Sequence, residues 1–433
     1  MCRCEEIASR RALAMTLTDR SLEMKFDSET TKRVLKIIFL IMLMDIVGMS
    51  IIFPVAPYIV QKYSGDALMV TMLTVIYAGA QFFAAPALGK ISDRVGRRPV
   101  LLVSVFGSAV GYFIFGIGGA LWVLFLSRLI DGITGGNIST ASAYIVDVSK
   151  PEERAKNFTL LGMAYGVGFI LGPALGGVLG QWNLNAPVYA AGVIFLFSTA
   201  LVYFRLPESL PAERRARSRL SLTDFNPFAS VAQMMRKPGL GILLLIVALF
   251  NFSFDGVNSV TGVFIKNKFH SLPLTLGLLM VAVGISTAFV QATLIERLVK
   301  KYGEKRMAFV GLLASIIGWP LLALAPALWI LFVVAFLQSG ITGFIWATTG
   351  TLAANHVKEH EQGQLAGVNV ALSGLMAMLG PLWAGTAYDH VDPGSPYWIG
   401  ALVLLFACGL LSGVKVKRHA LSDRQQNAFS TAD

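Results

Sequence analysis

The sequence predicts an all-α protein embedded in a membrane. Three observations predict it. The first is composition: over 433 residues, 55% are hydrophobic, only 14% are charged, and mean hydropathy is +0.66. A soluble domain has about 45–50% apolar and about 25% charged residues. The second is a series of apolar stretches, each long enough to cross a hydrocarbon core of ~30 Å. They fall near 35–59, 69–88, 98–118, 121–146, 156–180, 186–204, 240–264, 273–294, 306–325, 327–352, 364–387 and 397–414. They are too long for barrel strands, and lipid admits only helices or closed barrels. The third is where the basic residues lie. All but four of the 36 Lys and Arg sit in the tails or in loops joining an even span to an odd one. Lys62, Lys266 and Lys268 fall on the opposite side, and Arg128 lies within a span.

That asymmetry places both termini and the even-to-odd loops in the cytoplasm by the positive-inside rule, with the cell (inner or plasma) membrane as the expected location. The formal charge of +11 is therefore a topology signal, attractive to anionic lipid, and no nucleic-acid partner is expected. Cys2, Cys4 and Cys408 are placed so that no disulfide is expected. Residues 1–34 read as a cytoplasmic tail without the apolar core of a signal peptide, with Met15 and Met24 as alternative starts, and residues 415–433 as a second tail.

The chain repeats at an offset of about 207 residues. Ala120 to Phe125 (ALWVLF) returns as Ala327 to Phe332 (ALWILF), Leu171-Gly172-Pro173 returns as Leu379-Gly380-Pro381, and Gly96-Arg97-Arg98 is echoed by Gly303-Glu304-Lys305. Each copy holds six spans, so the copies share one orientation. Two parallel six-helix bundles, 35–204 and 240–414, related by a pseudo-two-fold axis along the membrane normal, are expected. A cytoplasmic linker at 205–239 joins them, with a short amphipathic piece from Phe228 to Met235 on the membrane surface.

Five segments carry candidate chemistry. The loop between spans 2 and 3, Gly89 to Pro99, packs Lys90, Asp93, Arg94, Arg97 and Arg98 into eleven residues. Gly89 permits close helix approach, Gly96 suits the tight turn, and Asp93 can cap a helix N-terminus, with span 11 the expected partner. Arg97 can pair with Asp147 at the end of span 4. The bland alternative is a plain basic turn. In the second copy Lys300 stands where Asp93 would be. Span 5 carries Gly168, Gly172, Pro173, Gly176 and Gly177. Glycines four apart line one helix face, and the Gly-Pro step allows a bend; an ordinary packing face is the competing reading.

Span 4 holds Arg128 with Asp131 three residues on, within side-chain reach. Charge inside a span is costly and marks a functional site by default, though the pair also reads as self-neutralising. Span 1 holds Asp45 at mid-membrane with no basic neighbour in sequence, which suits a proton or cation site, or else a satisfied structural hydrogen bond. Asp255 in span 7 is a further acid, and the repeat aligns Asn251 with Asp45. The remaining polar span residues, Tyr77, Gln81, Asn137, Asn251, Gln291, Gln338 and Asn369, are substrate-cavity candidates or helix-to-helix hydrogen bonds. No metal-ligand spacing, phosphate loop or nucleophile–base signature supports an enzyme, and no cofactor is implied.

The Gly-x-x-x-Asp-Arg-x-Gly-Arg-Arg run of loop 2–3 resembles the signature of the major facilitator superfamily, and the span 5 run is similar to the antiporter motif of its drug/proton antiporter branch with twelve spans. The runs Asp45 to Pro57, Arg154 to Gly177 and Gln362 to Gly367 look like the tetracycline/proton antiporters. The resemblance implies the major facilitator fold. It also implies proton-coupled export of small lipophilic or cationic compounds by alternating access, with Arg128 in proton coupling and the Asp93 loop locking the halves while the cavity opens outward. A monomer is expected, with substrate, protons and lipid as its partners. Gly111 and Ser315 stand where those antiporters carry acids tied to their metal–drug substrate, which argues against tetracycline. A metabolite transporter or a non-transporting receptor are the alternative readings.

Overall fold

A computed structural model describes residues 27–215, 228–237, 239–358 and 361–414; Cys2, Cys4, Met15, Met24 and most of the predicted tails lie outside them. The described residues are mostly helical and contain no strand, one of the two backbone solutions that lipid admits. Span 1 comprises α1 (Ser28–Ser50) and α2 (Ala56–Val60), span 2 is α3 (Ala67–Val95) and span 3 is α4 (Arg97–Ile117). Span 4 comprises α5 (Leu121–Thr134) and α6 (Asn137–Val148); spans 5 and 6 are α7 (Arg154–Trp182) and α8 (Ala186–Arg205). The linker carries α9 (Phe228–Met235). Span 7 is α10 (Leu240–Phe269). Span 8 comprises α11 (Pro273–Val290), a π turn (Gln291–Ile295) and α12 (Glu296–Tyr302). Spans 9 to 12 are α13 (Glu304–Leu324), α14 (Leu328–Ala354), α15 (Gln362–His390) and α16 (Ser395–Gly413).

Ten of these are long and apolar enough to cross a membrane. The other two expected spans, 1 and 4, are broken. In span 1 a turn at 51–55 interrupts the helix before Pro57, and Pro54 in that turn has no N–H to continue the ladder. In span 4 the break falls at Gly135-Gly136, where Gly136 N–H turns back onto Thr134 O at 2.7 Å and Gln81 Nε2 donates to Gly135 O at 3.0 Å. Several helices also outrun their apolar stretches. Span 2 continues through Val95, so the first half of the Gly89–Pro99 segment is helix rather than loop.

Packing repeats between the halves as the sequence does. Span 1 lies on span 5, and span 7 on span 11; span 3 packs between spans 4 and 6, and span 9 between spans 10 and 12. The halves meet along two seams, span 2 on span 11 and span 5 on span 8. These seams are tight at the face away from the basic loops, labelled the outer face from the expected topology. There a Cβ on Gly177 would lie 3.2 Å from Gly277 Cα, and Tyr58 Oη donates to Ser271 O across the halves at 2.6 Å. Contact persists to mid-span, where a Cβ on Gly284 would lie 2.8 Å from Ile170 Cγ1. Toward the basic face the seams part: a Cβ on Gly89, Gly162, Gly166, Gly363 or Gly367 would meet nothing within 4 Å. The two halves are thus in contact at the outer face and apart at the basic one.

Candidate functional site

At the basic face, Gly96 makes the turn from span 2 to span 3 at φ +120°, a conformation that L side chains rarely adopt. A Cβ there would also collide with the Glu208 carboxylate. This turn lets Arg97 fold back over span 2. Its Nη1 reaches Asp93 Oδ1 at 2.5 Å and donates to Ser92 Oγ at 2.7 Å, while Nε donates to Asp147 Oδ2 at 3.0 Å. Asp147 also accepts from Ser209 Oγ at 3.0 Å. Glu208, which sequence reasoning missed, accepts from the backbone N–H of Arg97 at 2.9 Å and of Arg98 at 3.2 Å. It thereby satisfies the first donors of span 3. Arg98 Nη2 donates to Tyr203 O at 2.6 Å, near the end of span 6. Arg94 lies in the last turn of span 2, partly exposed.

With the basic face parted, two contacts expected of this segment are not made among the described residues. Asp93 does not cap span 11 but pairs inside its own half. Gly89 approaches no neighbour. Both follow from the parted basic face, which moves span 11 out of reach.

Deeper in the first half lies a buried polar cluster. Asp45 is 7% exposed and accepts a short hydrogen bond from Asn137 Nδ2, 2.5 Å. Asn137 is the first residue after the break in span 4, so the break aims its amide across at span 1. One turn before the break, Arg128 Nη1 meets Asp131 Oδ2 at 3.1 Å with both side chains buried. The guanidinium lies over Tyr112 (4.4 Å to the ring centre) and Phe115 (5.2 Å), a cation–π arrangement that offsets part of its desolvation. Arg128 Nη2 and Asn137 Oδ1 are buried without a partner among the described residues. Gln81 Nε2 donates to Tyr77 Oη at 3.1 Å, linking both residues to Gly135 at the same break. Asp45, Arg128, Asp131, Asn137, Tyr77 and Gln81 therefore form one region built by spans 1, 2 and 4.

Gly111 belongs to this region. A Cβ there would lie 2.9 Å from Ser127 O and 3.3 Å from Asp131 Cβ. The acid-bearing position of the resembled antiporters is thus occupied by close helix packing against Asp131. Ser315 is buried and shares a 2.9 Å hydroxyl contact with Thr342.

The span 5 glycines sit on span 1. A Cβ on Gly168 would lie 2.6 Å from Ile46 Cγ2, and Cβ atoms on Gly172 and Gly176 would collide with Ser50 Oγ and Ile51 O. Ser50 Oγ donates to Gly168 O at 3.1 Å. Gly177 and Pro173 face span 8 instead, where Pro173 O lies 2.6 Å from a Cβ on Gly277. One helix thus serves the Asp45 helix on one face and the other half of the molecule on the next.

The candidates of the second half do not join this cluster. Asp255 sits on span 7 against span 11, with its Cβ 3.2 Å from a Cβ on Gly380, and no bond among the described residues links it to Asp45, Arg128 or Asp131. Asn251 Nδ2 donates to Ser373 Oγ at 2.9 Å. Gln338 packs on span 9, its Cγ 2.5 Å from a Cβ on Gly318, a helix-to-helix contact. Gln291 opens the π turn of span 8 and is exposed. Asn369 is partly buried on span 11, with Oδ1 unpartnered among the described residues.

The profile of the Major Facilitator Superfamily matches residues 38–291 and 243–431. The chain is 34% identical over 353 residues to the tetracycline resistance protein, class C, of Escherichia coli, covering 80% of this chain and 87% of that one. It is 26% identical to multidrug resistance protein 2 of Bacillus subtilis (strain 168), covering 89% and 96% of the two chains. Among solved structures, a bacterial homolog of the human lysosomal transporter Spinster, inward-facing and occupied, superposes with a TM-score of 0.71 at 16% identity, covering 89% of this chain and 97% of that one.

Proposed function

We propose that this chain, which belongs to the major facilitator superfamily of membrane transporters, is an antiporter that exports small lipophilic or cationic compounds in exchange for protons. Its family members are integral membrane transporters rather than enzymes, so the substrate is a small molecule. The observation that carries the finer reading is the buried cluster of Asp45, Asn137, Arg128 and Asp131, placed at the break of span 4. A carboxylate in a low-dielectric interior with a single neutral partner is suited to exchanging a proton. Arg128 and Asp131 neutralise each other and leave Asp45 as the group whose charge can change. Protonation would weaken the Asn137 donation to Asp45 and so bias how spans 1 and 4 pack. The likeness to tetracycline and multidrug resistance proteins supports drug-like cargo.

In this reading the basic face is cytoplasmic, both termini lie on that side of the cell membrane, and the halves 35–204 and 240–414 rock about the two seams with 205–239 as the connector. Asp93 caps span 11 when the basic face closes. Everted vesicles with an imposed proton gradient test the proposal with ethidium and tetracycline as cargo. Gradient-dependent ethidium movement is expected for the parent protein and none for Asp45→Asn. Proton dependence that survives Asp45→Asn would remove Asp45 from the mechanism, and a parent protein that moves no compound under the gradient would sink the antiporter reading.

A further inference from the structure

Span 2 starts at the outer face with Asp66 in the N-cap position, yet the Asp66 side chain makes no cap hydrogen bond. It accepts from Ser64 Oγ instead, at 3.0 Å. The first two N–H groups of the helix, Ala67 and Leu68, donate to Oδ1 and Oδ2 of Asp389, both at 2.8 Å. Asp389 lies next to the end of span 11, in the other half of the molecule. The first donors of a helix have no intrahelical partner, and a carboxylate at that positive end gains from both the hydrogen bonds and the helix dipole. Here the cap for one half is therefore supplied by the other. Close packing positions it: one turn before Asp389, a Cβ on Gly385 would lie 2.8 Å from Leu68 Cα and would collide with Thr71 Oγ1.

We propose that Asp389 is a reversible lock on the outer face, an N-cap between the halves that must break each time span 2 leaves span 11 to open the cavity outward. Among the described residues the other polar contacts across this face are Tyr58 Oη with Ser271 O and Oγ, Gln61 Nε2 to Asn267 at 3.5 Å, and Lys266 Nζ to Gln61. Asp389 differs in placing a formally charged acceptor on two helix N–H groups at once. When the seam opens, the two N–H groups and the carboxylate lose each other together, so this contact weighs directly on the balance between the two states. Asp389 is a positioning residue; it acts on the motion, not on the cargo. The inference rests on the two-state motion of the fold and is independent of the proton and substrate assignments above.

The test uses the full-length chain in proteoliposomes, with Cys2, Cys4 and Cys408 replaced by Ser and the outer seam reported by a Gln61→Cys/Asn267→Cys pair. The rate of disulfide formation between these positions reads the closed population without any substrate. Asp389→Asn is expected to slow cross-linking about fivefold. Ala67→Pro, at a first helical position whose backbone Pro suits, removes one of the two donated N–H groups at a fully buried site and should slow cross-linking in the same direction. Asp392→Asn is the control: Asp392 accepts from Gly394 N–H at 3.1 Å within its own loop and should leave the rate unchanged. Monodisperse Asp389→Asn and Ala67→Pro proteins that cross-link at the parent rate would overturn the proposal. So would an equal loss in Asp392→Asn, which would point to surface charge rather than to the cap.

Discussion

The loops between spans 2 and 3 and between spans 8 and 9 are copies of one turn, and they have diverged in a way that separates architecture from switching. Gly96 and Gly303 both turn the chain at positive φ, +120° and +83°. Arg98 and Lys305 are also equivalent. Arg98 donates to Tyr203 O near the end of span 6, and Lys305 donates to Ser412 O and Val414 O at the end of span 12. In each half a cation from the turn satisfies the last carbonyls of the closing helix, where the dipole favours it.

What differs is the charged network. In the first half Arg97 gathers Ser92, Asp93 and Asp147, and Glu208 holds the turn from the linker. In the second half Glu304 replaces Arg97. Lys300 replaces Asp93 and, among the described residues, pairs with Glu296 at 2.6 Å with both side chains mostly exposed. Such a pair contributes little. The shared contacts fasten each bundle, and the unshared ones sit beside the seam that has parted.

This contrast can be broken at its strongest point first. Arg97→Ala removes the partner of a half-buried Asp147 and should cost about 2–3 kcal/mol of stability and reduce vesicle transport at least about tenfold. Asp93→Asn should keep the fold and cargo binding but lower transport about tenfold, while Lys300→Asn changes neither. Loss of binding in Asp93→Asn, or equal losses at the two loops, would show that Asp93 is not the moving part.

Of smaller effect, Gly96→Ala carries both backbone strain and a collision with Glu208, whereas Gly303→Ala carries strain alone, since nothing lies within 4 Å of its Cβ. Thermal unfolding should show losses of about 2 kcal/mol and about 1 kcal/mol respectively; reversed order would mean that Glu208 does not hold the turn. The smallest effects belong to the shared contacts. Arg98→Ala and Lys305→Ala should each lose about 0.5–1 kcal/mol, and a large difference between them would mean that the two turns are not equivalent.

Much of this was readable in the chain. The offset of 207 residues foretells two like bundles, and the packing pairs repeat accordingly. The row Gly168, Gly172, Gly176 is legible because residues four apart share a helix face, although only the fold shows that span 1 lies on it. Arg97 and Asp147 both sit at span ends on the same side of the membrane, which makes them natural partners. Glu208 was missed because its role is to accept backbone N–H groups, which leave no trace in residue identity. Asp389 was missed for the same reason, since an acid at the end of a span looks like any solvated loop residue. Asp255 was legible as a further acid in a span that the repeat does not align with Asp45, and only the fold shows that it lies against span 11.

By itself the sequence determined the membrane class, the side on which the charges lie, the two-fold repeat and the helices. Each of these depends on hydropathy, charge or spacing, which are properties of the chain alone. The tertiary structure alone decided which face is closed, that Asp45 meets Asn137 at a helix break, and that Asp389 caps span 2. These are contacts between residues 92 and 322 positions apart. The Asp45 contact lies within one bundle and depends on how the break of span 4 packs on span 1. The closed face and the Asp389 cap depend on how far the two bundles have swung about their seams, and no local pattern of residues encodes either.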